Sequence, residues 1–314
     1  MRARERRRVT DGLRATGAAG GLADHLPVLV DEVAFLLRPR DAGWVIDGTV
    51  GMGGHAEAIL DATDHDVRLL GIDLDPGALD RARERLGRFG ARVTLVHASF
   101  RTLAATAAAH GIEHARSIVL DLGYSSWQLE GSGRGFSFQR EDEPLDMRLD
   151  PGAAETAGAL LNRAREDELA RLLTEYGEEP HARRIARAIV RRRPLSTTGD
   201  LVAAVKSAVP RAAWPRQLHV ATRTFQAVRI AVNDELGALR EALPHAAGLL
   251  GPGARLGVIS FHSGEDRIVK HTFRSLVPAG FAELEPSPLT PGADEVRANP
   301  RARSAKLRVL ERLP

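Results

Sequence analysis

The residues with the clearest chemistry lie in the run Asp47-Gly48-Thr49-Val50-Gly51-Met52-Gly53-Gly54-His55, which follows the apolar stretch Gly43-Trp44-Val45-Ile46 and leads into an Ala-rich helical segment. Glycine is placed where φ is positive or where a ligand must touch backbone, and Gly51, Gly53 and Gly54 supply three such places. A second apolar stretch, Leu69-Leu70-Gly71-Ile72, ends on Asp73, where an acidic side chain can take the two ribose hydroxyls of a nucleoside. Asp75 and Pro76 follow at once. Asp75 suits the cap of the next helix, which leaves Asp73 for the ribose. Together these residues point to an adenosine-containing cofactor.

Several readings of the turn compete. A dinucleotide fingerprint wants Gly-x-Gly-x-x-Gly, but here the third glycine directly follows the second. A P-loop needs Gly-Lys-Ser/Thr, and no lysine is near. What remains is the acidic-x-Gly-x-Gly-x-Gly turn of S-adenosylmethionine enzymes, with Asp47 first, Thr49 in place of the first glycine, then Gly51 and Gly53. That ligand brings a methionine moiety and no phosphate. A purely structural glycine turn stays open beside it.

Further along, Ser99-Phe100 follows a third apolar stretch, and Phe100 is placed either to stack on an adenine ring or to fill the core. A fourth ends in Asp121-Leu122-Gly123-Tyr124-Ser125-Ser126-Trp127-Gln128. Its oxygens can orient an amine at the reactive end of a cofactor; the plainer alternative is a Gly-Ser turn with Asp121 as a cap. His110 and His114 are four apart, but Gly111 intervenes and no Glu follows the first, so no metal is expected. His262 ends a strand and is a candidate to line the site, while Ser263-Gly264-Glu265-Asp266 reads as a capping box. No Gly-x-Ser-x-Gly elbow is present, so serine hydrolase chemistry has no support.

To hold these groups together the chain needs a scaffold, and the hydrophobic pattern predicts one. Between about residues 25 and 121 helices and strands alternate: helix Pro27 to Leu37, strand Trp44 to Ile46, helix His55 to Ala62, strand Val67 to Ile72, helix Pro76 to Leu86, strand Arg92 to His97, helix Leu103 to His110, strand Ser117 to Leu120. Such alternation means a parallel sheet covered on both faces. From Gly123 to Asp150 the rhythm breaks, and helices follow over Ala154 to Asn162, Glu166 to Tyr176, His181 to Arg193 and Thr198 to Val209, ending at Pro210 and Pro215. The alternation resumes with a long helix near Thr222 to Leu243, a strand Arg255 to Phe261 and a helix Glu265 to Phe273, and Leu307 to Leu313 has the pattern of a last strand. The expected organisation is a basic tail without fixed structure over 1–22, a first part of an α/β domain over 23–125, an inserted helical domain over 126–217, and the second part of the α/β domain over 218–314.

At 314 residues with 43% hydrophobic content the chain can build a real core. It has no cysteine, which excludes disulfides and thiolate metal sites. No apolar stretch approaches the roughly 18 residues a membrane span needs, and no apolar region follows the Arg-rich N-terminal residues as a secretory signal requires. A soluble, cytoplasmic protein is expected. The isoelectric point near 9.7 accompanies a net charge of only +3, so global charge says little about nucleic acid. Local charge says more: in the cluster Arg183, Arg184, Arg187, Arg191, Arg192 and Arg193, helical spacing puts Arg183, Arg187 and Arg191 on one stripe. A second cluster comprises Arg297, Arg301, Arg303, Lys306 and Arg308. Each alone reads as well as a solvated face; both beside a nucleoside-type site favour a phosphate-bearing partner.

With these residues in place the chain closely resembles the RsmH (MraW-type) family of 16S ribosomal RNA cytosine-N4 methyltransferases. The resemblance rests on an ordered set of motifs: His25-Leu26-Pro27-Val28-Leu29, the glycine turn from Asp47 to His55, Gly71 to Asp75, and the runs beginning at Asp121, Arg134, Tyr176, Ala221, Val258 and Asn299. Two departures stand out, Gly264 where Leu is expected and Trp127 where Pro is commoner. The resemblance implies a class I S-adenosylmethionine-dependent methyltransferase, a Rossmann-like doubly wound α/β sheet with an inserted helical domain. It implies cofactor contacts at Gly53, Gly54, His55, Asp73, Phe100, Asp121 and Gln128; Gln128 comes from the resemblance alone. The implied substrate is the exocyclic N4 of a P-site cytidine in 16S rRNA of the small ribosomal subunit.

For that chemistry Asp121, Ser125 and Ser126 are the expected catalytic oxygens, holding the N4 hydrogens while nitrogen attacks. Arg183, Arg187, Arg191 and Trp127 are the expected RNA contacts. Phe136 and Phe138 are further stacking candidates, with core packing as the alternative. Monomer and homodimer both stay open. Competing functions are a methyltransferase acting on another amine, a non-catalytic ribosome-assembly factor, and a nicotinamide oxidoreductase that the glycine spacing disfavours.

Overall fold

A strand in a parallel sheet sends alternate side chains to opposite faces, so both faces need a cover. The computed structural model, which describes residues 27–63, 66–125 and 127–314, shows this division strand by strand. The tail expected over 1–22 and the position Ser126 lie outside the described residues. The chain forms two compact units, one running to Gly123 and resuming at Gly237, the other Tyr124–Leu236.

The first unit contains β1 (Gly43–Asp47), β2 (Val67–Asp73), β3 (Val93–His97), β4 (Ala115–Asp121), β5 (Leu250–Ser260), β6 (Phe281–Glu283) and β7 (Lys306–Arg312). They make one seven-stranded sheet in the order β3-β2-β1-β4-β5-β7-β6. The first five strands are parallel, and β7 runs antiparallel to both β5 and β6. This is the class I methyltransferase sheet that the resemblance implied. The expected last strand is β7.

Helices α1 (Val30–Leu37), α2 (Gly54–Asp61) and α3 (Pro76–Leu86) cover one face, meeting Val45, Leu69, Val119 and Ile259 through Leu37, Ile59 and Leu79. Helix α4 (Leu103–Ala109) covers the other, where Ile46, Leu70, Ile118 and Leu120 pack with Leu103. Neighbouring residues such as Val45 and Ile46, or Leu69 and Leu70, thus belong to different cores, as the period of two demands. Strand order reverses between β1's two neighbours, β2 and β4. That places the carboxyl ends of three adjacent strands, Asp47, Asp73 and Asp121, at the switch point.

The second unit is helical: α5 (Ala157–Arg163), α6 (Glu166–Gly177), α7 (Ala182–Arg192), α8 (Thr198–Ala208) and α9 (Thr222–Asn233). Leu161, Leu173, Ile185, Ile189, Leu201, Val205, Phe225 and Val228 share its core. The insertion was expected to end at 217, but α9 belongs to the helical unit because its Phe225, Ala227 and Val228 are buried in that core. The single long helix expected near Thr222 to Leu243 is also two: Asp234 takes left-handed geometry (φ 46°, ψ 44°), and α10 (Glu235–Gly248) starts afresh. Asn233 fixes the break, donating to Met147 O and Arg229 O at 2.8 and 2.9 Å while its Oδ1 accepts from Leu149 N at 2.8 Å. In α10, Leu239, Leu243 and Ala246 join the same core as Leu103.

Candidate active site

The glycine turn is tied to both strands that flank β1. Gly48 N donates to Val119 O at 3.0 Å and Val50 N to Ile72 O at 2.9 Å. Gly51 N donates to Asp73 Oδ2 at 2.8 Å, and Asp121 N donates to the Thr49 hydroxyl oxygen at 2.6 Å. Thr49 is a link that sequence reasoning missed; its only signal was standing where a glycine was expected.

The three glycines do different things. Gly51 has φ +51°, and a Cβ there would meet only Thr49 O at 3.8 Å, so this face of the turn is open to a ligand. Gly53 has φ +85°, and its Cβ would crowd Leu86 at 3.2 Å, so it serves both the turn and the approach of α3. A Cβ on Gly54 would lie 2.8 Å from Pro27, so its bareness serves packing. The first intrahelical bond of α2 runs from Glu57 N to Gly53 O, which leaves the amides of Gly54, His55 and Ala56 directed out of the helix N-terminus. Such an end favours a carboxylate.

Around this turn stand three acids. Asp47 is 2% exposed and accepts from Thr49 N at 3.1 Å. Burial, helped by the nearby carboxylates of Asp121 and Asp73, pushes its pKa up to about 8 against the lowering bond from Thr49, so it is protonated at neutral pH. Asp73 accepts from Asp75 N at 2.9 Å as well as from Gly51 N, and burial pushes it up to about 6 despite those donors. Asp73 was expected to be reserved for the ribose; it also braces the turn, with Leu74 N as a further backbone donor beside Gly51 N and Asp75 N. The acceptor capacity that remains can still take a hydroxyl. Asp75 is the cap of α3, its Oδ1 accepting from Gly77 N at 3.0 Å.

His55 is buried, its Nε2 donating to Val28 O at 2.9 Å and its Nδ1 lying 3.6 Å from Asp121 Oδ2. The ring is thus turned into the fold beside Asp121, and the His55 backbone amide is directed out of the α2 terminus. Asp121 keeps about a quarter of its side chain exposed. Phe100 is half-buried, packed against the core that holds Leu103 and Leu120.

A ligand with a carboxylate, two vicinal hydroxyls and positive charge matches these groups: amides at the α2 terminus, spare acceptors on Asp73, open backbone at Gly51. S-adenosylmethionine has all three features. A family model, the MraW methylase family, matches residues 22–313. The chain belongs to the MraW methylase family. Among curated relatives, the "Ribosomal RNA small subunit methyltransferase H" of Heliobacterium modesticaldum is 50% identical over 309 residues, covering 92% of this chain and 98% of that one. The protein of the same name from Geobacter sulfurreducens is 48% identical over 308 residues, covering 92% and 99%. This family member is thus an S-adenosylmethionine-dependent methyltransferase.

In the helical unit the expected residues divide. Gln128 is buried, its Oε1 accepting from Ser125 N at 2.8 Å while its own N donates to Ser125 Oγ at 3.3 Å. The pair closes a wide turn over Trp127–Gly131. Trp127 packs against Gly131, where a Cβ would come within 2.3 Å of the indole. Phe136 is in the core, and the half-buried Phe138 stacks one face on His219 at 4.5 Å and meets Phe225 at 5.8 Å with the rings near perpendicular. Arg183, Arg184, Arg187, Arg191 and Arg192 are exposed along α7, opposite its buried Ile185 and Ile189; Arg187 pairs with Glu166 at 3.3 Å.

Other basic residues have structural partners. Arg193 donates to the carbonyls of Leu161 and Ala164 at the end of α5. In the second cluster, Arg308 is buried, 2.8 Å from Asp266 and 2.9 Å from Glu283, and Lys306 lies 3.0 Å from Asp266. Burial would raise Asp266, but these cations outweigh it and hold the carboxyl below its ordinary range. The expected capping box is shifted by one residue in α11 (Ser263–Leu276). His262 Nδ1 accepts from Gly264 N and Glu265 N, and Glu265 Oε2 accepts from His262 N. Imidazole replaces the expected Ser263 hydroxyl, so His262 is a cap.

Proposed function

We propose that this protein methylates the exocyclic N4 of a P-site cytidine in 16S rRNA, acting in the cytoplasm on the small ribosomal subunit. The observation that carries this reading is identity near 50% over almost the whole chain to proteins named for small-subunit rRNA methylation. The bound cofactor supplies an electrophilic methyl group on a sulfonium, so the protein's work is alignment. The amides of Gly54 and His55 face the methionine carboxylate, Asp73 the ribose hydroxyls, and Phe100 the adenine. The Gly53 backbone shapes the turn, and Gln128 holds the Ser125 turn in the same assignment.

Cytosine N4 has a lone pair delocalised into its ring, so an acceptor for the N4 hydrogens favours pyramidal nitrogen and attack. Asp121 is partly exposed, its backbone N–H donates to Thr49 Oγ1 and its carboxyl lies 3.6 Å from His55 Nδ1, which suits it to that acceptor. Ser125 and Ser126, which follow in the chain, are assigned as further acceptors. When bound, the cofactor would supply the methyl group to N4 and depart as the neutral thioether, and the proton displaced from N4 would pass to solvent water. The exposed arginines of α7, with Trp127, are assigned to RNA.

The test is to incubate the protein and labelled cofactor with small subunits from a strain lacking this methylation, then map the modified nucleotide. N4-methylcytidine at one P-site position is expected. Methyl transfer to a different amine, or RNA binding without turnover, would replace the reading.

A further inference from the structure

Tyr124 is 43% exposed, a large aromatic side chain left open on the helical unit. One face of its ring lies on the guanidinium of Arg229, 4.7 Å from ring centre to Cζ. Arg229 is itself held by two hydrogen bonds to Glu235, from Nε at 2.8 Å and from Nη2 at 2.7 Å. The side chains of this ion pair are only 9% and 12% exposed. A two-pronged contact with that little water around it fixes the plane of the guanidinium, and the guanidinium fixes the plane of the ring.

The result is an aromatic plane backed by a cation, on a residue with 43% of its surface in solvent. Planes of this kind take up unpaired nucleobases by stacking, and a cation beneath the ring strengthens the interaction. Of the stacking candidates expected from sequence, Phe136 is in the core, Phe138 is half-buried with one face on His219, and Trp127 packs against its own turn. Tyr124 follows Asp121 by three residues, so covalent reach alone keeps it within roughly 11 Å of that strand end.

We propose that Tyr124 is the stacking platform for an unpaired cytosine of the RNA substrate, with Arg229 and Glu235 as positioning residues beneath it. This rests on the reading of the protein as an RNA cytosine methyltransferase and adds the residue that holds the base. The phenol oxygen is not needed for stacking, but the aromatic face is.

The test compares Tyr124→Phe, Tyr124→Leu and a distant control, Phe35→Leu, which removes another exposed aromatic lying beside an arginine, Arg38. Leucine covers the ion pair with apolar bulk but has no π face. Two quantities are read: KM and kcat for small subunits, and Kd for a short single-stranded RNA carrying an unpaired cytidine. Tyr124→Leu should raise the RNA KM and Kd by about 10-fold, with cofactor Kd and melting temperature unchanged. Tyr124→Phe should recover most of the RNA affinity that Tyr124→Leu loses, and Phe35→Leu should match the wild type. A leucine variant with wild-type RNA Kd and KM overturns the proposal. If the wild type shows no turnover while the leucine variant still loses oligonucleotide binding, the platform stands and the methyltransfer reading fails.

Discussion

The carboxyl end of the sheet and the arginine face of α7 both gather like charges, yet they keep them by opposite means. Asp47 and Asp73 are enclosed, and their pKa values rise to about 8 and 6, so part of the charge is removed by protons. The arginines of α7 stay charged by standing in water, where salt screens each from the next over about 8 Å. Enclosed like charges make a region sensitive to pH and receptive to a cation. Exposed like charges make it sensitive to salt and receptive to a polyanion. The two regions should therefore fail differently.

The largest effect is expected at Asp121. Thr49 Oγ1 accepts from the Asp121 backbone N–H at the strand end, His55 Nδ1 lies 3.6 Å from the carboxyl, and that carboxyl is the proposed acceptor for the N4 hydrogens. Asp121→Ala should lower kcat by roughly 100-fold or more at saturating cofactor. Asp121→Asn keeps an oxygen acceptor without the charge and should lie between. An alanine variant with wild-type kcat and cofactor affinity would remove Asp121 from the chemistry.

Next in size is a pH effect at Asp47. Its carboxyl keeps a proton to about 8 in the folded protein and loses it near the ordinary 3.8 when unfolded. Between those values the unfolded chain binds fewer protons, so this group makes wild-type stability fall as pH rises through that window; above about 8 its contribution is constant. Asp47→Asn keeps the acceptor for Thr49 N and cannot ionise. Its stability relative to wild type should improve from pH 5 to pH 8, on the order of 1 kcal/mol per pH unit. Thermal melts of both proteins across that range read the gap directly, and a gap that stays constant would mean Asp47 is ionised in the fold.

Much of the sheet end was legible because its signals are local. A strand, a glycine turn and a helix follow one another within twenty residues, and the period of two marks Val45 and Ile46 for different faces. What was not legible depends on distance in the chain. Lys306 and Arg308 look like any basic tail, and only the fold shows their partner to be Asp266, some forty residues earlier. Arg193 looks like the end of the arginine stripe until the carbonyls of α5 turn up beside it. Phe136 and Phe138 have the same composition as a stacking surface, and burial alone separates the two uses. Thr49 stood out only by occupying a place where a glycine was expected, since its acceptor role exists only when β1 and β4 are neighbours.

The smallest effects should come from single arginines of α7, and they discriminate within the stripe. Each phosphate contact on single-stranded RNA contributes roughly 0.7 to the slope of log Kd against log salt. Arg183→Ala and Arg191→Ala should each reduce the slope by about that amount. Arg187 already pairs with Glu166 at 3.3 Å, with both side chains about half exposed, so reaching RNA means giving up a bond worth under about 1 kcal/mol. Arg187→Ala should therefore cost less RNA affinity than either neighbour, and Glu166→Gln should tighten binding slightly by releasing it. Salt titrations of RNA binding for the four variants test this order. If all three arginine variants match wild type in slope, α7 is a solvated face. If Arg187→Ala proves the worst, the Glu166 pair is orienting that arginine towards the phosphate instead of competing for it.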